Sequence, residues 1–243
     1  MKKFRFAILG AGHIARQFCD AVSRIDGCEV CAVASKSLAR AENFAKENGV
    51  ESYYDDYETL LEKERPDCAY IAVTPNDHYR LSVLCVNHSV PVLCEKAMFQ
   101  NSEEAKNLYA LASEKKIFIM EALWSRYLPA VQQVKRWVEQ EKIGKPTVLQ
   151  CNIGFLAPDE KENRYFNPKL GGGVAKDITV YAYEITTFIL NQVIRDISVS
   201  ATWSDTGVDV TNHVSICFDD TLADLLTSFV AQLEEQMVIY GRF

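Results

Sequence analysis

The sequence predicts an α/β chain in two parts: a parallel-sheet domain with helices on both faces, followed by an α+β domain. Three observations carry this. From Phe4 to about Met120, short apolar runs alternate with stretches of helical spacing, the pattern of strand–helix–strand units and a mostly parallel sheet. A glycine-rich turn joins the first run to the first helix. After about Glu121 the period changes and strand-like sequence dominates, so the boundary is expected there, giving residues 1–121 and 122–243.

Phe4 to Leu9 reads as the first strand, and Ile14, Phe18, Ala21, Val22 and Ile25 mark a helix face. Val30 to Ala34 is a second strand. Ser37 to Glu47 is an amphipathic helix stopped by Gly49. Cys68 to Val73 is a buried strand, Asp77 to Asn87 a helix, and Pro91 to Cys94 a strand. Ser102 to Lys115 is a helix with Ser102 as its cap and Glu103 and Glu104 in its first turn, and Ile117 to Met120 a strand. Beyond the boundary come a helix at Leu128 to Glu139, a strand at Thr147 to Phe155, three glycines at 171–173 and an apolar helix from Val174 to Leu190. Strands Ile194 to Trp203, Val210 to Phe218 and Leu222 to Leu233 follow.

The 243 residues are 48% hydrophobic and 24% charged, an ordinary globular composition. A net charge of -7 argues against non-specific nucleic-acid binding. No secretory signal is expected, because the apolar run after the basic N-terminus is short and leads into a glycine turn, and no apolar stretch is long enough for a bilayer span. With no export signal, the eight scattered cysteines are expected to be reduced and the protein cytoplasmic. Cys28 and Cys31 form a CxxC without a second pair, and on a strand their side chains point to opposite faces, so no metal site is expected.

The chemistry begins at Gly10-Ala-Gly12-His13-Ile14-Ala15, a GxGxxA between a strand and a helix. Gly10 permits the tight turn, Gly12 lets backbone approach a pyrophosphate, and Ala15 lets the helix pack closely. The helix N-terminus supplies N–H groups for phosphate, so a Rossmann-type dinucleotide site is expected. At the end of the second strand an NAD site wants an acid for the ribose hydroxyls. Here Ser35, Lys36 and Ser37, with Arg40 a turn later, offer hydrogen bonds and positive charge for a 2′-phosphate instead, which favours NADP over NAD. The plainer alternative is a solvated loop cation beside a capping serine.

Thr74, Pro75 and Asn76 lie at the carboxyl edge of the predicted sheet, where ligands bind; His78 is either a cofactor-side group or part of a helix's first turn. Glu95-Lys96 ends a buried strand at the same edge. It is either a structural ion pair or a catalytic lysine whose ammonium polarises a substrate oxygen. Asp177 and Tyr181, four apart on a predicted helix, share a face, and a tyrosine beside a lysine can exchange a proton. From spacing alone the plainer reading is a helix with Asp177 near its start and Tyr181 in the core.

These pieces together resemble the Gfo/Idh/MocA oxidoreductase family: Gly10 to Ala15, Thr74-Pro75-Asn76-Asp77-His78, Cys94-Glu95-Lys96, Gly171 to Gly173, and Asp177 to Tyr181, in family order over essentially the whole chain. Met120 to Tyr127 further resembles the branch of dimeric dihydrodiol and xylose dehydrogenases. The resemblance implies a nucleotide-binding domain followed by a domain on a large, mostly antiparallel sheet, with a substrate pocket on one face and a subunit interface on the other. It implies that Lys96, Asp177 and Tyr181 hold the catalytic positions, with Lys96 placing the substrate hydroxyl and Tyr181 as acid/base. Trp124, Arg126 and Tyr127 would lie near the substrate, which would be a sugar, polyol or cyclic diol. A homodimer is the expected assembly. The same fold also serves a regulatory protein that binds NADP without turnover, and this is the alternative function. Three departures from the family pattern stand out. Ala97 replaces a proline, Thr179 replaces a glycine, and the chain stops at Val238 to Phe243, so a shortened second sheet with an uncovered edge or face is expected.

Overall fold

The computed structural model describes residues 2–158 and 163–243 and divides into two compact units, Met1–Ala122 and Leu123–Phe243. The first contains strands β1 (Phe4–Leu9), β2 (Cys28–Ala34), β3 (Ser52–Tyr54), β4 (Cys68–Ile71), β5 (Val92–Cys94) and β6 (Ile119–Glu121). They form one six-stranded sheet in the order β3-β2-β1-β4-β5-β6, parallel throughout. The helices are α1 (His13–Ser23), α2 (Leu38–Asn48), α3 (Tyr57–Glu64), α4 (His78–Asn87) and α5 (Ser102–Lys115).

The apolar runs are strands because both faces of this sheet are buried. On β1, Ala7 and Leu9 enter one core with Leu60 of α3, Leu81 of α4 and Leu108 of α5. Ile8, pointing the other way, packs with Ala15 and Cys19 of α1 and Phe44 of α2. The strand order reverses between β1 and β4, which places the ligand crevice of such a sheet above the carboxyl ends of those two strands.

Several boundaries differ from expectation, each for a physical reason. β2 begins at Cys28, so the CxxC lies within one strand and both thiols are free. α5 is capped by Asn101, whose side-chain oxygen accepts from the amides of Glu103 and Glu104 at 3.1 and 3.0 Å, and Ser102 is its first helical residue. Asparagine caps as well as serine, and the residue one place earlier has the extended backbone a cap needs. β3 and α3 carry no apolar run or strong period; α3 is set by its Asp56 cap and by Leu60 and Leu61 in the core.

The second unit holds α6 (Pro129–Glu139), β7 (Lys145–Gly154), α7 (Val180–Leu190), β8 (Ile194–Trp203), β9 (Asp209–Phe218), β10 (Leu222–Ser228) and β11 (Gln236–Arg242). The sheet runs β11-β7-β10-β9-β8; β10 and β7 are parallel and every other pair antiparallel. α7 covers its middle, packing Ala182 and Leu190 against Leu149, Ile216 and Leu225. The predicted helix 174–190 is two pieces: Ala175–Thr179 is a π turn, and the α-helix begins only at Val180. The Thr179 hydroxyl donates to the Val174 carbonyl, five residues back, at 3.2 Å and shares a 2.6 Å hydrogen bond with Thr227 of β10. These side-chain bonds accompany the wider turn. β10 stops at Ser228, five residues before the predicted end, and β11 adds the outer strand.

β8 is an edge strand. Ile197 and Val199 pair with Ile216 and Val214 and so share the helix-covered face. They nevertheless remain 44% and 61% exposed. All three tryptophans, Trp124, Trp137 and Trp203, belong to this second unit and sit at its surface. No helix among the described residues is long and apolar enough to cross a membrane.

Candidate active site

β1 ends at Leu9, and the chain must turn sharply into α1 while passing under Ala72, which follows β4. Gly10 makes that turn with φ +116°, and a Cβ there would stand 2.5 Å from the Ala72 carbonyl oxygen. No L side chain fits. At Gly12 an added Cβ would meet only the same oxygen, at 3.9 Å, so the space above it is open. Gly12 is the N-cap of α1 and offers no side chain to its first amides. His13 and Ile14 open the helix, and Ala15 is fully buried under it. The result is an uncapped helix terminus behind a side-chain-free turn, the shape and polarity that a pyrophosphate fills. The residues present fit a dinucleotide.

The end of β2 carries the next group. Ser35 is buried, Lys36 and Arg40 are exposed, and Ser37 caps α2, its hydroxyl accepting from the Arg40 amide at 3.4 Å. No acid lies on this segment, but one reaches it from elsewhere. Asp77, in the turn after β4, holds Lys36 Nζ at 2.6 Å and Arg80 Nε at 3.2 Å. Burial alone would raise the Asp77 carboxyl; Lys36 and Arg80 outweigh it and hold the group below the usual range. Lys36 and Arg80 thus share a single carboxylate.

Thr74 leads into a 3-10 turn at Pro75–Asp77, with Asn76 exposed on it. His78 lies beneath, 1% exposed, its Nδ1 2.9 Å from the Ala97 carbonyl and its Nε2 3.0 Å from the Val73 carbonyl. Burial pushes its pKa down against those two acceptors, and the ring braces the loop after β4 against the loop after β5. That second loop carries Glu95 and Lys96, and the Lys96–Ala97 peptide is cis. Glu95 is buried and accepts from the Tyr70 hydroxyl at 2.5 Å. Burial raises its carboxyl, an effect that Tyr70 and Lys96 offset only in part. Glu121 at the end of β6 accepts from the Met98 amide at 2.8 Å and ties the loop down.

In the second unit, Tyr181 opens α7, and the Trp124 indole nitrogen donates to its phenol oxygen at 3.0 Å. Trp124 begins a 3-10 turn, Trp124–Tyr127. The Ser125 hydroxyl and Arg126 Nε each donate to Glu184 at 2.6 Å; Tyr127 is exposed. Asp177, in the π turn, is paired with Arg164 at 3.2 Å. Asp209 caps that turn, accepting from the Ala175 amide at 2.7 Å.

The sequence-predicted residues therefore fall into two groups. Gly10, Gly12, His13, Ile14, Ser35, Lys36, Ser37, Arg40, Thr74, Pro75, Asn76, His78, Glu95 and Lys96 belong to the first unit; the turns after β1, β2, β4 and β5 carry all but His13, Ile14, Arg40 and His78, which lie in the helices that follow. Trp124, Arg126, Tyr127, Asp177 and Tyr181 belong to the second, where Trp124 and Tyr181 touch. Asp77, Glu121, Arg164 and Glu184 were not singled out from the sequence. Glu184 had a signal, as the sole charge in the apolar stretch Val180–Leu190.

Comparison with known proteins matches both halves to one family. The profile described as an oxidoreductase family with an NAD-binding Rossmann fold covers residues 4–123, and the Gfo/Idh/MocA C-terminal domain covers residues 131–242. A trans-1,2-dihydrobenzene-1,2-diol dehydrogenase of Danio rerio is 30% identical over 241 residues, 98% of this chain and 72% of the relative. Among solved structures, the WlbA dehydrogenase of Chromobacterium violaceum, in complex with NADH and UDP-GlcNAcA, superposes with a TM-score of 0.91 at 18% identity, over all of this chain and 72% of the other. The aldose-aldose oxidoreductase of Caulobacter crescentus gives 0.90 at 16% identity, covering 98% and 74%. At those identities the two structures speak for the fold alone.

Proposed function

This chain belongs to the Gfo/Idh/MocA oxidoreductase family, and from that premise we propose that it is an NADP-dependent dehydrogenase or reductase acting on CH–OH groups of a sugar, polyol or cyclic diol. The name of the zebrafish relative supports the cyclic diol within that class. The observation that carries the proposal is the glycine cradle over Ala72 in front of an uncapped helix, beside a β2 end that has cations and no acid of its own.

Residues 1–121 form the cofactor domain and residues 122–243 the substrate and dimerisation domain. Gly10, Gly12, His13 and Ile14 hold the pyrophosphate through backbone N–H groups. Ser35, Lys36, Ser37 and Arg40 hold the 2′-phosphate, and NADP is preferred to NAD on their account. Thr74, Pro75, Asn76 and Glu95 shape the ribose and nicotinamide side, with His78 bracing that edge from below. When bound, NADP supplies a hydride acceptor at nicotinamide C4, and NADPH a donor. Lys96 binds the substrate oxygen with its ammonium. Tyr181 takes or returns the hydroxyl proton at its phenol oxygen, and Asp177, held by Arg164, orients the polar groups around it. Trp124, Arg126 and Tyr127 lie on the substrate side. A second copy over the exposed edge at Ile197 and Val199 completes a homodimer, and the unpaired cysteines support a cytoplasmic location.

The test is calorimetric titration of the full chain with NADPH and NADH, followed by turnover with dihydrodiols, aldoses and inositols. NADPH is expected to bind at least about tenfold tighter, the scale of one charge-assisted hydrogen bond, and Lys36→Ala to erase that margin. Preference for NADH overturns the phosphate assignment. Tight binding with no turnover of any class selects the regulatory alternative.

A further inference from the structure

Glu184 is a carboxylate with a side chain 2% exposed on a helix otherwise free of charge. A buried charge needs strong partners, and those it has all belong to one turn. It accepts from Ser125 Oγ and from Arg126 Nε, both at 2.6 Å, the short distances of charge-assisted bonds. The Arg126 guanidinium also lies 5.3 Å from the ring centroid of Phe188, one turn further along α7. Gln132 of α6 donates to the Arg126 carbonyl at 2.6 Å and holds the backbone of the same turn. Glu184 stands three residues after Tyr181, so one face of α7 grips the turn at one point and meets Trp124 at the next.

We infer that Glu184 is the positioning residue of Tyr181: it clamps the Trp124–Tyr127 turn to α7, and the clamp holds the Trp124 indole N–H on the Tyr181 oxygen. This rests on the acid/base role proposed for Tyr181. An indole nitrogen only donates, so in this pair the phenol oxygen is the acceptor. The phenol's own proton is then directed to a partner other than Trp124. The donated bond also stabilises the phenolate that forms when that proton leaves. Trp124 is accordingly more than a substrate wall, although at 54% exposure it retains a free face for one.

The test uses the full chain labelled with 15N, whose three indole N–H signals separate Trp124 from Trp137 and Trp203 once Trp124→Phe removes one. Tyr181→Phe is expected to shift the Trp124 signal, and Glu184→Gln to shift the same signal while the other two stay. Should Glu184→Gln fail to fold, Ser125→Ala loosens the clamp from the other side and carries the same expectation. In turnover, Glu184→Gln and Trp124→Phe each lower kcat about tenfold with the NADPH KM unchanged, and the double variant is no worse than Trp124→Phe, because one acts through the other. A Trp124 signal that ignores both Tyr181→Phe and Glu184→Gln overturns the inference, and so do losses that multiply in the double variant. If no substrate is turned over, the assigned function falls while the indole shifts still decide the clamp.

Discussion

Glu64 is where single side chains are easiest to separate by pH. Burial would raise its carboxyl, but the Tyr54 hydroxyl at 2.7 Å and the Arg5 guanidinium at 2.8 Å reverse that and hold it below the usual range. A depressed carboxyl contributes stability that is complete above its unfolded pKa of about 4.3 and is lost as pH falls through the lower folded value. Glu64→Gln should therefore cost about 1–3 kcal/mol in urea unfolding at pH 7, with the deficit shrinking below about pH 4. An equal deficit at pH 7 and pH 3 would show that the charge contributes nothing. Tyr181→Phe should lower kcat by about 10²- to 10⁴-fold, the usual range for a lost acid/base, and leave NADPH affinity intact. A matching loss of affinity would assign Tyr181 to cofactor binding. The same scale explains what the sequence could reveal of the site. Gly10 and Gly12 are legible because the turn they make into α1 spans only six residues, Gly10 to Ala15, although the approach of Ala72 to Gly10 leaves no local trace. Lys36 and Asp77 are 41 residues apart, and Arg126 and Glu184 are 58 apart, so neither pairing leaves a local trace.

Among the elements, legibility follows how much of the stabilisation is local. α2 is bounded by its Ser37 cap and by Gly49, which takes the left-handed conformation at φ +66°, and both signals stand in the sequence. The π turn does not announce itself, because the apolar period through 174–190 is continuous and the wider turn accompanies Thr179 bonding to Val174 and to Thr227, 48 residues away. Asp209 sets the start of that turn. Its carboxylate accepts from the Ala175 amide and from Asn212 Nδ2, each at 2.7 Å, and Gly173 stands beside it at φ +118°, a backbone conformation that strains any side chain. Asp209→Ala should destabilise the protein by about 1–2 kcal/mol, as cap deletions do, and lower turnover further by loosening Asp177 two residues on. Unchanged stability in urea titration would mean that Asp209 does not cap the turn.

Over the molecule as a whole, the eight cysteines are all free and unequal. Cys217 is exposed on β9 and Cys28 half-buried, while burial pushes Cys19, Cys31, Cys68 and Cys151 up to about 11 and Cys85 and Cys94 higher still. A thiol reagent at pH 8 should label Cys217 first, Cys28 more slowly and the other six only in denaturant. Fast labelling of more than two would mean that the cores open readily. The parallel sheet of the first unit and the mixed sheet of the second each have their own cores, and the placement of aromatic side chains gives a way to follow them separately. Every tryptophan lies beyond Ala122, each with its ring at the surface. Excitation at 295 nm is therefore blind to the nucleotide-binding unit: its emission, red-shifted by water, reports the second unit alone. Circular dichroism at 222 nm registers the helices of both. If the two signals melt along one curve, the units unfold as one; if the dichroism moves first, the nucleotide-binding unit is the weaker, and the optical difference measures by how much.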